Sequence, residues 1–422
     1  MVEINDFVEI EKDGKIYRGI VMPHYSFSGK NIIVIKLKNG YNIGIDKRKA
    51  KIRVIRKGKK RKKIEKKIKY DKSKPTISLL GTGGTIASYV DYETGAVHPA
   101  ASAQELVFAI PEIFDYSNVE AKVLFQKFSE NMEPKDWKKI AREVAKELNS
   151  GKKGVVISHG TDTMAHTGAA LAFMLKNLTG PVVLVGSQRS SDRPSSDAFD
   201  NLIAGVKVAL TDLGEVSIVM HGSISSDFCY IHRATKVRKM HSSRRDAFAS
   251  INSKPIGIVR DDVKFISEYK KKNEGKTIAD TSLNENVSLI YYYPGMKKEY
   301  FEKMVEGKDG VVIAGTGLGH INEKLIPSIK KLIKNGIPVV MTSQCFNGRV
   351  NMNVYSTGRK LIKAGIINGN DMLPEVALIK LMWVLAHEKE NIKQLMEKNI
   401  AGEINERHSI NQKNLYGNAN KG

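Results

Sequence analysis

Between Asn5 and Ile55, apolar and polar positions alternate in five short runs: Asn5–Ile10, Lys15–Met22, Asn31–Lys38, Tyr41–Asp46 and Lys51–Ile55. A period of two is that of a strand with one covered face. Gly14, Ser28-Gly29 and Asn39-Gly40 punctuate the runs, and Asn39-Gly40 between two of them predicts a hairpin. Five such strands in so short a segment predict a small SH3-like β-barrel. The pattern lapses in residues 57–74, a basic linker ending at Pro75.

From Thr76 the texture changes. Apolar strands are predicted at Thr76–Leu80, Gly154–Ser158, Pro181–Val185 and Val216–Met220. Helices are predicted around Ser102–Ala109, Pro134–Leu148, Met164–Leu178 and Phe199–Thr211. Strand–helix alternation predicts a parallel α/β sheet, whose ligands bind in loops beyond the carboxyl ends of its strands. Residues 260–284 are polar and weakly patterned, as in a connector. A second α/β unit follows, with strands near Ser288–Tyr292, Gly310–Ala314 and Pro338–Ser343. Its helices are predicted near Lys324–Asn335, Thr357–Ala364 and Pro374–His387. The expected layout is a barrel at 1–56, a linker at 57–74 and an α/β domain at 75–259. A connector at 260–284 and a smaller α/β domain at 285–422 complete it. No repeat of the solenoid kind is visible.

Composition narrows the class. A chain of 422 residues exceeds one ordinary core. Hydrophobic residues at 41% and charged residues at 27% are those of a soluble globular protein. No apolar run is long enough to span a membrane, and MVEINDFVEIEKDGK does not read as a signal peptide. Cys229 and Cys345 lie too far apart to suggest a disulfide scaffold, so a reducing cytoplasm is expected. Charge is uneven. Residues 1–74 hold 23 Lys and Arg against 8 Asp and Glu, much of the net +23 of the whole chain. A field of one sign attracts nucleic acid or an acidic protein. A lysine-rich solvated surface of a heat-adapted protein is the alternative.

Three segments carry candidate chemistry. Gly81–Ser88 follows a strand, but its glycines fit neither GxGxxG nor a P-loop, because Ile86 stands where the last glycine would be. Glycines there free backbone N–H groups for a close substrate, and Thr85 presents a hydroxyl that would otherwise cap a helix. Ser158–His166 follows the next strand. Its Thr161-Asp162 pair either caps the helix beginning near Met164 or holds the head group of a small substrate. His159 and His166 do not match HExxH, so no metal is expected. Lys239 is one cation in a charged run, or a base for a threonine hydroxyl, which is a poor nucleophile until its proton is taken.

Together these segments resemble the bacterial-type L-asparaginase/glutaminase family from about Pro75 onward. The matching stretches are Thr82–Ser88 (TGGTIAS), Ser158–Met164 (SHGTDTM), Lys239–Phe248 and Asn370–Leu381. The resemblance implies that Thr85 is the nucleophile and that Thr161, Asp162 and Lys239 form a second catalytic set. It also places Ser129 in a substrate-binding loop, with Glu130, Gly84 and Gly160 beside the substrate. Val97 stands where the family carries a lid tyrosine, which speaks against fast unassisted turnover as a simple asparaginase. A small basic barrel ahead of such a body resembles the D-type subunit family of archaeal glutamyl-tRNA(Gln) amidotransferases. Members of that family hydrolyse glutamine and pass ammonia to a partner, the E-type subunit, which acts on glutamyl-tRNA(Gln) with ATP and Mg²⁺. No cofactor is expected in this chain, and a homodimeric core in an α2β2 assembly is implied. A free-standing L-asparaginase is the alternative, and an RNA-binding protein on an inactive enzyme fold a more distant one.

Overall fold

The alternating runs become strands, as their period requires. The computed structural model describes residues 2–4, 6–22, 29, 31–37, 42–58, 70–83, 88–90, 97–99, 111–189, 196–225 and 227–407. The first strands are β1 (Phe7–Lys12), β2 (Lys15–Val21), β3 (Ile32–Leu37), β4 (Asn42–Asp46) and β5 (Lys51–Arg56). They pair antiparallel in the order β4-β3-β2-β1-β5. Val8 lies opposite Gly19 and Val54, and Ile10 opposite Tyr17 and Ile52. These positions share one face, where Val8, Ile10, Ile35 and Ile45 form a core of their own. Asn39-Gly40, residues 59–69 and the helix expected at Ser102–Ala109 lie outside the described residues.

The next elements are β6 (Thr76–Gly81), a short hairpin of β7 (Ser88–Val90) and β8 (Val97–Pro99), and β9 (Asn118–Val123). Helix α1 (Pro134–Asn149), β10 (Val155–Ser158), α2 (Met164–Met174), β11 (Leu175–Lys176), β12 (Val182–Val185), α3 (Ala198–Ala209) and β13 (Val216–His221) follow. Strands β9, β6, β10, β12 and β13 run parallel. Three antiparallel strands then extend the sheet beyond β13: β14 (Cys229–Arg233), β17 (Gly257–Val259) and β18 (Val263–Phe265). Between β14 and β17 a hairpin of β15 (Val237–Lys239) and β16 (Phe248–Ser250) leaves the sheet.

The sheet is thus mixed, where alternation alone predicts a parallel one. Each antiparallel strand is short and finds its partner through an edge, which periodicity does not mark. The stretch expected as a connector supplies two strands, β18 and β19 (Ile278–Ala279). The latter pairs with Leu175–Lys176, so the helix expected to reach Leu178 stops at Met174.

The last sheet is parallel, with order β20 (Val287–Tyr291), β21 (Gly310–Gly315), β22 (Val339–Ser343) and β23 (Ile367–Asn368). Its helices are α4 (Lys298–Val305), α5 (Ile326–Lys334), α6 (Ser356–Ala364), α7 (Pro374–His387) and the short α8 (Ile392–Glu397). Helices α2 and α7 are apolar nearly all round and lie in one continuous core that joins the large sheet to this smaller one. A helix buried on all sides has no solvent stripe to keep polar. Gly168 lets α2 approach closely, since a Cβ there would stand 3.0 Å from that of Ala234. Among the described residues no helix is long and apolar enough to cross a membrane.

Two buried cations tie the segments together. Lys380 on α7 meets Glu403 at 2.6 Å with both side chains fully enclosed, and it also donates to the carbonyls of Met396 and Lys398. Glu403 in turn accepts from the backbone of Ile400 and Ala401. Lys236 meets Asp371 at 2.8 Å, and Asp371 also holds Asn405. Removing one partner strands a charge without solvent. Glu403→Ala is therefore expected to lower stability by about 3–5 kcal/mol in denaturant unfolding. A loss below about 1 kcal/mol would show that the Lys380 pocket readily takes up water.

Candidate active site

Strands β6 and β10 run in register, with Gly81 beside Ser158, and Ser158 beside Val185 on β12. Their following loops therefore leave the sheet side by side. Buried Thr82 secures the junction, its hydroxyl donating to the carbonyl of Ser158 at 2.8 Å. Gly83 has φ +108°, and a Cβ there would lie 2.3 Å from the carbonyl oxygen of Lys127. Only glycine permits that approach. Gly84 and Thr85 come next and lie outside the described residues.

The loop before α1 closes the same corner. Lys127 donates its backbone N–H to the Thr82 carbonyl, and its ammonium reaches Asp136 at 2.7 Å. Asp136 and Glu133 form the capping box of α1, which anchors this loop to a rigid helix start. Ser129 is buried, and its carbonyl accepts from the Thr163 hydroxyl at 2.5 Å. A Cβ on Gly160 would stand 2.7 Å from that of Ser129. Gly160 thus lets the Ser129 loop sit against the loop after β10. Glu130 is exposed.

Lys239 comes from the far side, at the end of β15. Its ammonium donates to the Thr161 hydroxyl at 2.8 Å and to the Asp162 carboxylate at 2.7 Å. Thr161 is buried and the Lys239 side chain is only 13% exposed, whereas that of Asp162 is 66% exposed. One cation therefore sits between a sheltered hydroxyl and an open carboxylate. A lysine so held can exchange a proton with a hydroxyl, while the carboxylate remains accessible to a polar ligand.

Known proteins resemble this chain along almost its whole length. Residues 76–271 match the model for the asparaginase N-terminal domain, and residues 286–397 the glutaminase/asparaginase C-terminal domain. Residues 2–55 match the GatD N-terminal domain. The D-type subunit of the glutamyl-tRNA(Gln) amidotransferase of Pyrococcus furiosus is 55% identical over 96% of this chain and 95% of its own. The corresponding protein of Saccharolobus solfataricus is 49% identical over 97% and 94%. This chain belongs to the D-type subunit family of glutamyl-tRNA(Gln) amidotransferases. Among solved structures, the thermostable L-asparaginase of Thermococcus kodakarensis superposes with a TM-score of 0.71 at 34% identity. It covers 78% of this chain and 99% of its own. L-asparaginase I of Vibrio cholerae gives 0.69 at 29%, covering 79% and 99%.

As a member of the D-type family, the protein shares its α/β body with asparaginases and adds the N-terminal sheet. Of the residues singled out from sequence, Ser129, Gly160, Thr161, Asp162 and Lys239 converge on one corner. Val97 lies in β8, in a segment whose side chains are not described. The two histidines do not share a site. His159 is fully enclosed, with Nδ1 against the Gly160 carbonyl at 2.7 Å and Nε2 against the Thr167 hydroxyl at 2.8 Å. His166 instead lines a cavity of about 400 Å³ that Asp162 and Lys239 also line, together with Arg238, Glu375 and Tyr291. Arg238 and Glu375 approach to 3.6 Å there. Periodicity did not point to this wall, although Glu375 lies in the matching stretch Asn370–Leu381.

Burial pushes His159 down to about 4. Its folded value lies below its unfolded one, so between about pH 6.5 and 4 the unfolded chain binds the extra proton. Stability is then present above that window and is lost as pH falls through it, by at most about 1.4 kcal/mol per pH unit. His159→Asn is expected to flatten the pH dependence of unfolding in this window by up to one proton. An unchanged slope would mean that His159 is charged in the folded protein.

Proposed function

We propose that this chain is the glutaminase of a tRNA-dependent amidotransferase. It hydrolyses glutamine, and the ammonia passes to the E-type subunit, which converts glutamyl-tRNA(Gln) to glutaminyl-tRNA(Gln). ATP and Mg²⁺ serve that partner, and this chain uses neither. Likeness to D-type chains along almost the whole length supports the assembly. The contact of Lys239 with both Thr161 and Asp162 carries the chemistry.

In this mechanism Asp162 and the Ser129 loop hold the amino and carboxylate groups of glutamine. The Thr85 hydroxyl attacks the side-chain amide carbon, and backbone N–H groups of the glycine loop receive the oxyanion, at about 3 kcal/mol per donor. Lys239, steered by Asp162 and Thr161, carries the hydroxyl proton to the departing nitrogen as the C–N bond breaks. Ammonia leaves and a threonyl ester remains. Water adds to that ester, glutamate departs, and the threonine hydroxyl is restored. A homodimeric core in an α2β2 assembly fits this scheme.

A free-standing L-asparaginase is the second reading, favoured by the asparaginase superpositions over the body alone. Ammonia release from glutamine and from asparagine separates the two. The chain should work slowly on glutamine by itself and faster with its E-type partner, glutamyl-tRNA(Gln), ATP and Mg²⁺. Fast asparagine hydrolysis indifferent to every addition would support the plain asparaginase. Thr85→Ala, Thr161→Ala and Lys239→Met should each lower glutamine hydrolysis by about 100-fold or more. Full activity in either threonine variant would remove that residue from the mechanism.

A further inference from the structure

The N-terminal sheet has one face that its own core does not use. Residues alternating with Val8 and Ile10 point away from that core. Strand pairing lines them up in rows. In one row Lys36, Ile20, Phe7 and Arg56 follow one another across β3, β2, β1 and β5. The Arg56 guanidinium lies over the Phe7 ring, 5.8 Å from its centre. In the next row Arg18 and Arg53 flank Glu9, at 2.7 and 3.2 Å. Both arginine side chains remain more than 60% exposed while meeting one carboxylate. Beyond them Lys51 faces Glu11 at 3.9 Å, too far for a firm pair. On this face Lys36, Arg56, Arg18, Arg53 and Lys51 outweigh Glu9, Glu11 and Asp46.

The basic stretch leaves from the edge of this same face. Asp6 is buried and accepts the backbone N–H of Gly58 at 2.9 Å and the Lys57 ammonium at 3.2 Å. Those bonds hold its carboxyl below the usual carboxylate range. They also fix where the chain departs, just after Arg56 and beside Phe7. By sequence, residues 57–74 add 11 Lys and Arg against 2 Asp and Glu. The segment that leaves the face therefore has the sign of the face itself, and the face carries a ring and an isoleucine among its cations.

We infer that this face is an RNA-contact surface, and that the protein itself touches the tRNA of its complex through it. Phosphates take the cations of the sheet. Phe7 and Ile20 offer an apolar seat for a ribose or an unpaired base. An acidic protein would satisfy the charge as well; a polyanion is favoured because, by sequence, the cations run on from the face through the 11 Lys and Arg of residues 57–74. This inference rests on the tRNA-dependent reading only for the identity of the RNA.

The test uses the full chain and a fluorescently labelled tRNA(Gln) transcript, with anisotropy followed over a range of salt. The variant Lys36→Gln, Lys51→Gln, Arg56→Gln is compared with Lys330→Gln, Lys331→Gln, Lys334→Gln, an equal charge change on α5. The sheet variant should bind at least tenfold more weakly, with a log–log salt slope shallower by about two to three. The α5 variant should bind like the unaltered chain. Phe7→Leu should weaken binding several-fold without changing the slope. Equal losses in both triple variants would overturn the inference, because net charge alone would then explain binding. Unaltered binding by the sheet variant would overturn it too, whether or not that variant loses its hold on the E-type partner. Glutamine hydrolysis is read in parallel and should be unchanged in all of these variants. Its absence from the unaltered chain would count against the functional reading and leave the RNA result standing.

Discussion

One ammonium group organises the candidate site. Lys239 can reach Thr161 and Asp162 only because separate pieces of the chain arrive at the same point. The loop after β10 presents the hydroxyl and the carboxylate, and the parallel register of β6 and β10 puts Thr82 and Gly83 beside it. The β15–β16 hairpin leaves the large sheet and brings the lysine back over those loops. An ammonium that donates to both a hydroxyl and a carboxylate has its hydrogen bonds met, so the cluster can persist in a partly sheltered place.

Close packing around this point explains residues that look unremarkable in sequence. Gly83 and Gly160 face Lys127 and Ser129 at distances that no side chain permits. The Ser129 loop is thereby pressed between the two motif loops, with the capping box of α1 behind it. Lys236 lies three residues before Lys239, and its buried pair with Asp371 fixes the base of the lysine hairpin to the C-terminal part of the chain. Helices α2 and α7 share the core between the two sheets, so the geometry of the site depends on both.

The N-terminal sheet contributes none of this. It has its own core and its own charge, and its outward face differs in character from the catalytic corner. Asparaginases superpose on the body without it, whereas relatives of the D-type family match through it. The chain thus combines an amide-handling corner with a separate cationic surface.

The sequence by itself determined the elements whose signals are local. Alternation marked all five N-terminal strands to within a few residues, and helix α7 runs from Pro374 to His387 as its apolar pattern and leading proline predict. The TGGTIAS and SHGTDTM stretches, each after an apolar strand, pointed to the ends of β6 and β10, which the parallel register sets side by side. Local pattern could not reveal β14, β17, β18 and β19, since a short strand added at an edge owes its existence to the partner it finds. Nor could composition separate Lys239 from Lys236. One stands between Thr161 and Asp162, and the other is enclosed against Asp371. The family resemblance points to Lys239, but what each lysine touches only the tertiary structure decided, because a lysine's role follows from what lies within about 3 Å of its nitrogen, and those neighbours are distant in the chain.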